Sequence, residues 1–126
     1  MTRLQKQILV LLSEAQEEDL VVLVNTLVKG DQSPHLMQDI VDARNELLTS
    51  GCCTMAAERD PVTLRLVELP FRESVDLLSQ SLGSITWDAD ISLWVFGGAS
   101  GRPEVVLTAR GVEESDKILA EDGWIV

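Results

Sequence analysis

The sequence predicts an α+β domain, and three observations carry that prediction. Three stretches in the first half space their apolar residues as helices do. Two short strand-like runs follow them, and the second half adds a helix, a run of alternating residues and a last helix. The 126 residues, of which 45% are hydrophobic and 25% charged, suffice for one buried core. We therefore expect a single domain, with residues 1–70 and 71–126 as its two halves.

The first half predicts three helices before any strand. The first covers residues 2–12, where Leu4, Ile8, Leu11 and Leu12 share one face. The second should follow the acidic run Glu17–Asp19, since anions stabilise a helix amino terminus, and should end before Gly30. Its β-branched composition also suits a strand, so both interpretations stay open for residues 17–28. The third begins with Ser33 as a cap and Pro34 in the first turn, and Gly51 ends it.

The rest of the chain predicts two β-hairpins, each followed by a helix. Residues 52–58 and 62–69 read as paired strands around a turn at residues 59–61, and a helix follows over residues 72–82. Residues 85–96 alternate without a break, which predicts one strand, with residues 104–108 returning as its partner after the GGASGRP loop. The last helix should cover residues 109–121, capped by Thr108 and ended by Gly123, with Trp124 packing back.

Three helices followed by a β-hairpin resemble the winged-helix fold over residues 2–70. The resemblance implies a third helix that enters the major groove of DNA. Here that helix presents three acids and one arginine, within the set Gln38, Asp39, Asp42, Arg44, Asn45 and Glu46. The phosphate backbone would repel such a helix.

Charge is the most informative part of the composition. Ten basic residues stand against 21 acidic ones, for a net charge of −11. Nucleic-acid binding draws much of its affinity from Lys and Arg, so this balance disfavours it and favours a basic protein partner. No apolar run is long enough for a membrane span. We expect the adjacent Cys52 and Cys53 to act as small apolar side chains that fill space, with both thiols reduced. A reducing compartment predicts a cytoplasmic protein.

The sequence offers no identified set of catalytic residues or metal ligands. His35 is the only histidine, which rules out a histidine cluster or triad built from this chain alone. The paired carboxylates lie at helix ends or on solvent faces, where both stay ionised. Asp88 and Asp90 could share a divalent cation, but a solvated face is the stronger interpretation. We predict no enzyme activity, no cofactor and no metal.

The candidate partner-binding residues come from the alternating run and the last helix. A single strand over residues 85–96 would place two carboxylates and two aromatic rings on its outer face, which is the composition of protein interfaces. In the alternative, both faces are covered and Trp94 lies under the last helix. Arg102 could anchor a carboxylate of a partner. The full predicted set is Asp88, Asp90, Trp94, Phe96, Arg102, Glu113 and Glu114.

In its small size, its acidity and its lack of a catalytic set of residues, the chain resembles the immunity proteins of bacterial toxin systems. In particular, the chain resembles those paired with nuclease toxins of contact-dependent growth inhibition. The closing pattern Val106-Leu107-Thr108, Gly111, Ile118-Leu119 and Gly123-Trp124 also occurs in small bacterial helix–wing proteins. The resemblance implies that carboxylates occupy the basic cleft of a nuclease. Two alternatives stay open: a winged-helix transcription regulator, and a non-catalytic scaffold or homodimer formed through the last helix.

Overall fold

A computed structural model describes residues 1–28, 34–97 and 102–121. The predicted α+β class is confirmed, because helices and two small antiparallel sheets are both present. The helices are α1 (Arg3–Ser13), α2 (Leu20–Val28), α3 (Pro34–Thr49), α4 (Phe71–Leu82) and α5 (Ala109–Leu119). The strands are β1 (Glu17–Asp19), β2 (Cys53–Ala56), β3 (Ile85–Asp88), β4 (Leu93–Phe96) and β5 (Glu104–Leu107). The predictions for Gly30, Ser33, the loop glycines 98–101, Gly123 and Trp124 lie outside the described residues.

Side-chain caps mark where α1, α2 and α5 begin. Thr2 caps α1 in a reciprocal capping box with Gln5, and the hydroxyl of Thr108 accepts the Gly111 N–H at the start of α5. Asp19 caps α2, since its Oδ1 accepts the N–H groups of Val21 and Val22. The open question at residues 17–28 is thereby resolved: β1 ends at the residue that caps the second helix.

The three-stranded sheet joins both halves of the chain. Its order is β1-β5-β2, and the central strand is antiparallel to both neighbours. The registers place Glu17 opposite Val106 and Cys53 opposite Leu107. The predicted pairing of residues 104–108 with residues 85–96 is therefore wrong. Within β5, Val105 and Leu107 are buried in the core that α1 and α5 cover.

The predicted single strand over residues 85–96 is also wrong. Residues 89–92 form a turn, so β3 and β4 pair with each other as a hairpin. The carboxylate of Asp88 accepts the N–H of Asp90, and Ser92 has a φ of 53°. Such side-chain to backbone bonds are typical of turns that begin with Asp. A strand of twelve residues would also be longer than most strands in globular proteins.

The first predicted hairpin is reduced to one strand and a structured loop. Residues 62–69 form no strand, and a single bridge joins Arg59 to Leu66. Strand β2 takes β5 as its ladder partner, and on its other side the Met55 carbonyl accepts the Leu69 N–H while the Met55 N–H donates to Ser74 Oγ. The 57–70 loop, residues between β2 and α4, therefore lies outside the sheet. The winged-helix resemblance stays a prediction.

The core lies between α1, α2, α3, the sheet and α4. Ile8, Leu20, Ile40, Met55 and Leu78 each expose at most 1% of their surface. Cys52 and Cys53 are both buried and free, as fillers of this core would be.

Candidate protein-binding surfaces

Helix α3 presents an acidic face without an exposed cation of its own. Asp39, Asp42 and Glu46 are all exposed, and their spacing places them along one side of the helix. Arg44 is the only Lys or Arg in α3, and it is buried with 2% of its surface exposed. We call Asp39, Asp42 and Glu46 the acidic α3 face.

A groove runs between the acidic α3 face and the start of α1. Its volume is about 280 Å³, and its walls are Thr2, Leu4, Gln5, Asp39, Asp42, Ala43 and Glu46. The amide of Gln5 contacts the Glu46 carboxylate, and Gln38 Nε2 donates to Asp42 Oδ1 over 2.9 Å. These contacts orient the carboxylates of Glu46 and Asp42 at the groove.

A second group of carboxylates lies where β1 meets β5. Arg59 donates to Glu17 over 3.2 Å and to Glu104 over 3.4 Å. Burial raises the pKa of Glu104; the charge of Arg59 opposes that shift, and the charges of Glu17, Asp19 and Glu18 add to it. Arg59 therefore forms ion pairs within the chain.

Arg102, predicted to anchor a partner's carboxylate, is bound to a carboxylate of its own chain. Its Nε lies 2.5 Å from Asp19 Oδ2, and its Nη2 lies 3.1 Å from Asp19 Oδ1. Burial raises the pKa of Asp19, but the hydrogen bonds from Arg102, Val22 and Val21, together with the charge of Arg102, outweigh it and lower that pKa. Arg102 thus holds the carboxylate of Asp19, the cap of α2, by two contacts, while more than half of the Arg102 side chain stays exposed.

The predicted facing of the aromatic residues is corrected by the hairpin. Cross-strand partners share a face, so Trp94 lies with Trp87, and Phe96 with Ile85, opposite the face of Asp88. Trp94 and Phe96 are half-buried and pack against the core. The Trp87 and Trp94 rings meet edge to face at 5.6 Å.

The backbone of Trp94 is also held from α2, since the Asn25 amide bonds to both its N–H and its carbonyl at 2.8 Å. The helix that β4 packs on is therefore α2, and the alternative that placed Trp94 under the last helix is not what the contacts show. Asp90 is exposed in the turn, apart from the rings.

The two acids predicted on the last helix differ in their surroundings. Glu113 is exposed, whereas Glu114 is half-buried and lies 3.4 Å from Lys117. The predicted binding residues therefore occupy three separate places: the β3–β4 hairpin, the segment that leads into β5, and α5. Their role in partner binding stays a prediction.

Sequence reasoning missed the apolar surface of the 57–70 loop. Val62 is 89% exposed and Leu64 is 67% exposed, although both were assigned to a strand. An alternating pattern in residues 62–67 gave no sign that the segment leaves the sheet. The acidic α3 face, by contrast, could have been found from its spacing alone.

Two further findings concern metals and membranes. Among residues 1–28, 34–97 and 102–121, no three His, Cys, Asp or Glu side chains group closely enough to hold a metal ion. No helix in those same ranges combines the length and apolar character of a membrane span.

Comparison with known proteins adds no family: no family model, curated protein or solved structure matches the chain. Charge and geometry are therefore the basis for a functional assignment.

Proposed function

We propose that this chain is an acidic protein-binding domain that acts in the cytoplasm as an immunity protein. In this role it neutralises a basic nuclease toxin by occupying the cleft where nucleic acid would lie. The observation that carries the proposal is the acidic α3 face, because the only arginine of that helix is withdrawn into the core.

The acidic α3 face carries negative charge along a length that corresponds to a few phosphates of nucleic acid. Asp39 and Glu46 are seven residues apart, which corresponds to roughly 10 Å along a helix axis. Duplex DNA carries a negative charge about every 1.7 Å of its axis, so three carboxylates in a row imitate part of that charge density. A cleft that binds phosphates would attract them for the same reason.

The rest of the surface supports the same kind of partner. The net charge of −11 speeds the encounter with a cationic protein and opposes contact with DNA. At the sheet edge, Arg59 offsets part of the charge of Glu17 and Glu104, so the acidic α3 face is the stronger attraction for a cationic partner. Each exposed charge pair contributes little alone, so the proposal depends on the combined field.

The test is co-expression with the tagged product of the neighbouring gene, followed by co-purification and a nuclease assay. The wild-type chain should co-purify with that product and suppress cleavage of RNA or DNA. A variant with Asp39→Asn, Asp42→Asn and Glu46→Gln should bind at least about tenfold more weakly.

A matched control separates position from net charge. Glu73→Gln, Asp76→Asn and Asp116→Asn remove the same three charges from exposed positions on α4 and α5. This control should bind nearly as well as the wild type. Equal losses in both variants would show that only total charge matters, and tight sequence-selective binding to duplex DNA would overturn the proposal.

A further inference from the structure

The 57–70 loop concentrates apolar surface that the fold leaves uncovered. Of the nine large hydrophobic residues that are exposed in the described parts of the chain, three lie in this loop, Val62, Leu64 and Val67, and a fourth, Phe71, begins α4 directly after it. Scattered exposed apolar residues are ordinary, but a local concentration marks an interaction site.

The tip of this loop is held in one conformation by hydrogen bonds. The carboxylate of Asp60 accepts the N–H groups of Val62 and Thr63, each over 2.8 Å. The Leu64 N–H donates to the Asp60 carbonyl, and the Leu64 carbonyl accepts from Arg59 Nη1. A surface that is already ordered loses little conformational entropy when a partner binds.

Leu64 adopts a backbone conformation that leucine rarely takes. Its φ is 60°, in the left-handed region that favours Gly, Asn and Asp. An exposed leucine therefore occupies a strained backbone conformation here. Strain at such a position is a feature of binding sites.

A small cavity lies at the base of the loop, where the chain leaves β2 and returns towards α4. Ala57, Glu58, Val67 and Leu69 line a volume of about 210 Å³. That exceeds the roughly 150 Å³ of an apolar cavity that admits benzene, so one aliphatic side chain would fit. Glu58 gives the cavity a carboxylate, and Glu68 is exposed next to Val67.

We infer that the 57–70 loop is a docking surface for a protein segment in which an aliphatic side chain is flanked by Lys or Arg. The aliphatic group would enter the cavity between Ala57 and Val67, and the cation would meet Glu58. This inference rests on the proposed function and names a second contact with the same basic partner. The loop carries three acids, Glu58, Asp60 and Glu68, against two arginines, Arg59 and Arg65, of which Arg59 is paired with Glu17 and Glu104. Charge complementarity therefore favours a cationic occupant, and a net charge of −11 opposes both a second copy of the chain and an anionic membrane.

The experiment compares two synthetic peptides of equal length, one of lysine alone and one of alternating lysine and leucine. The wild-type chain should bind the lysine–leucine peptide about tenfold more tightly than oligolysine. A Leu64→Asn/Val67→Ser variant should lose that preference and remain folded, because Asn tolerates the backbone at position 64 and Val67, which lines the cavity, is 46% exposed. The matched control, Val22→Ser/Leu119→Asn, makes the same changes at exposed positions on α2 and α5 and should keep it.

Other outcomes identify which proposal fails. Equal binding of both peptides by the wild type, or an equal loss in the control variant, would overturn the docking surface and leave the acidic domain intact. Absence of binding to either peptide at low salt would count against the proposed function itself. Loop-dependent binding to phosphatidylserine vesicles, or loop-dependent dimerisation in sedimentation, would assign the surface to a membrane or to a second copy instead.

Discussion

The guanidinium of Arg44 and the thiol of Cys53 interact electrostatically inside the core. Arg44 is buried, and its Nε and Nη2 have no hydrogen-bond partner among the residues that the structure describes. Burial lowers the pKa of Arg44 to about 9, against a smaller opposing effect of Cys53. Burial likewise raises the pKa of the Cys53 thiol to about 12, against an opposing effect of Arg44. The two groups therefore shift in opposite directions for the same physical reason.

Replacing either residue should give opposite pH dependences of stability. In Arg44→Met, the raised pKa of Cys53 means that unfolding releases a proton above about pH 9, so stability should fall as the pH rises towards 12. In Cys53→Ala, the pKa of Arg44 is lowered in the folded state, so above about pH 9 the unfolded chain binds one more proton than the folded chain. The free energy of unfolding should therefore rise with pH over that range. In the wild type the two effects should nearly cancel.

Urea unfolding followed by tryptophan fluorescence, at about pH 8 and about pH 11, measures these slopes. Arg44→Met should also be at least as stable as the wild type near neutral pH, since it removes a buried charge whose Nε and Nη2 have no partner in the described parts of the chain. Slopes of the same sign in both variants would contradict the opposed shifts.

Gly111 permits the close approach of α5 to the strand it follows. A Cβ at this position would clash with the Cys52 carbonyl oxygen and with the Leu107 side chain. Gly111→Ala should lower the free energy of unfolding by about 2 kcal/mol. Gly83→Ala is the matched control, because its Cβ would meet only ordinary contact at 3.5 Å and should change stability little. Thermal unfolding of both variants measures the difference, and equal melting temperatures would refute it.

Asp19 serves both as the cap of α2 and as the partner of Arg102, and two substitutions separate these roles. Asp19→Asn keeps a capping oxygen and should cost under about 1 kcal/mol, because Arg102 is largely exposed and solvent screens the pair. Asp19→Ala loses the cap as well and should cost about 1 kcal/mol more.

The pH dependence gives a further check on Asp19. Since its folded pKa is lowered, its contribution to stability is present above the unfolded value of 3.8 and is lost as the pH falls through the folded pKa. The wild type should therefore lose its advantage over Asp19→Asn in acid. An advantage that persists below about pH 2 would show that the ion pair is not its source.

Charge reversal should slow association with the partner according to position. Asp39→Lys/Asp42→Lys should reduce the association rate more than Asp88→Lys/Asp90→Lys, since the first pair lies beside the groove and the second on a separate hairpin. Stopped-flow measurements at two salt concentrations would resolve the rates. Asp88→Asn keeps a side-chain oxygen that accepts the Asp90 N–H in the turn. If the Asp88→Lys/Asp90→Lys variant unfolds and Asp88→Asn stays folded, Asp88 has a structural role. A larger effect from the hairpin pair would favour the surface that the sequence predicted.

Helix positions could be predicted from the sequence because their signals are local. The caps at Thr2 and Thr108 and the apolar spacing of α1 lie within a few residues of the helices that they define. Strand pairing could not be predicted in the same way, because β5 meets β1 across more than eighty residues. The turn at residues 89–92 was concealed because apolar and polar residues alternate through it as they do in a strand.

The candidate site was predictable only in part, for a different reason. Carboxylates three and four residues apart indicate a common helix face without any structure. The burial of Arg44 could not be foreseen, since arginine is rarely buried without a partner. That burial leaves α3 with an acidic face and no exposed arginine or lysine of its own.

The nuclease assay with the purified product of the neighbouring gene tests the central claim most directly. An equimolar amount of the wild-type chain should suppress cleavage, and the variant Asp39→Asn/Asp42→Asn/Glu46→Gln should restore it. Undiminished cleavage in the presence of the wild-type chain, together with selective binding of that chain to duplex DNA, would contradict the account.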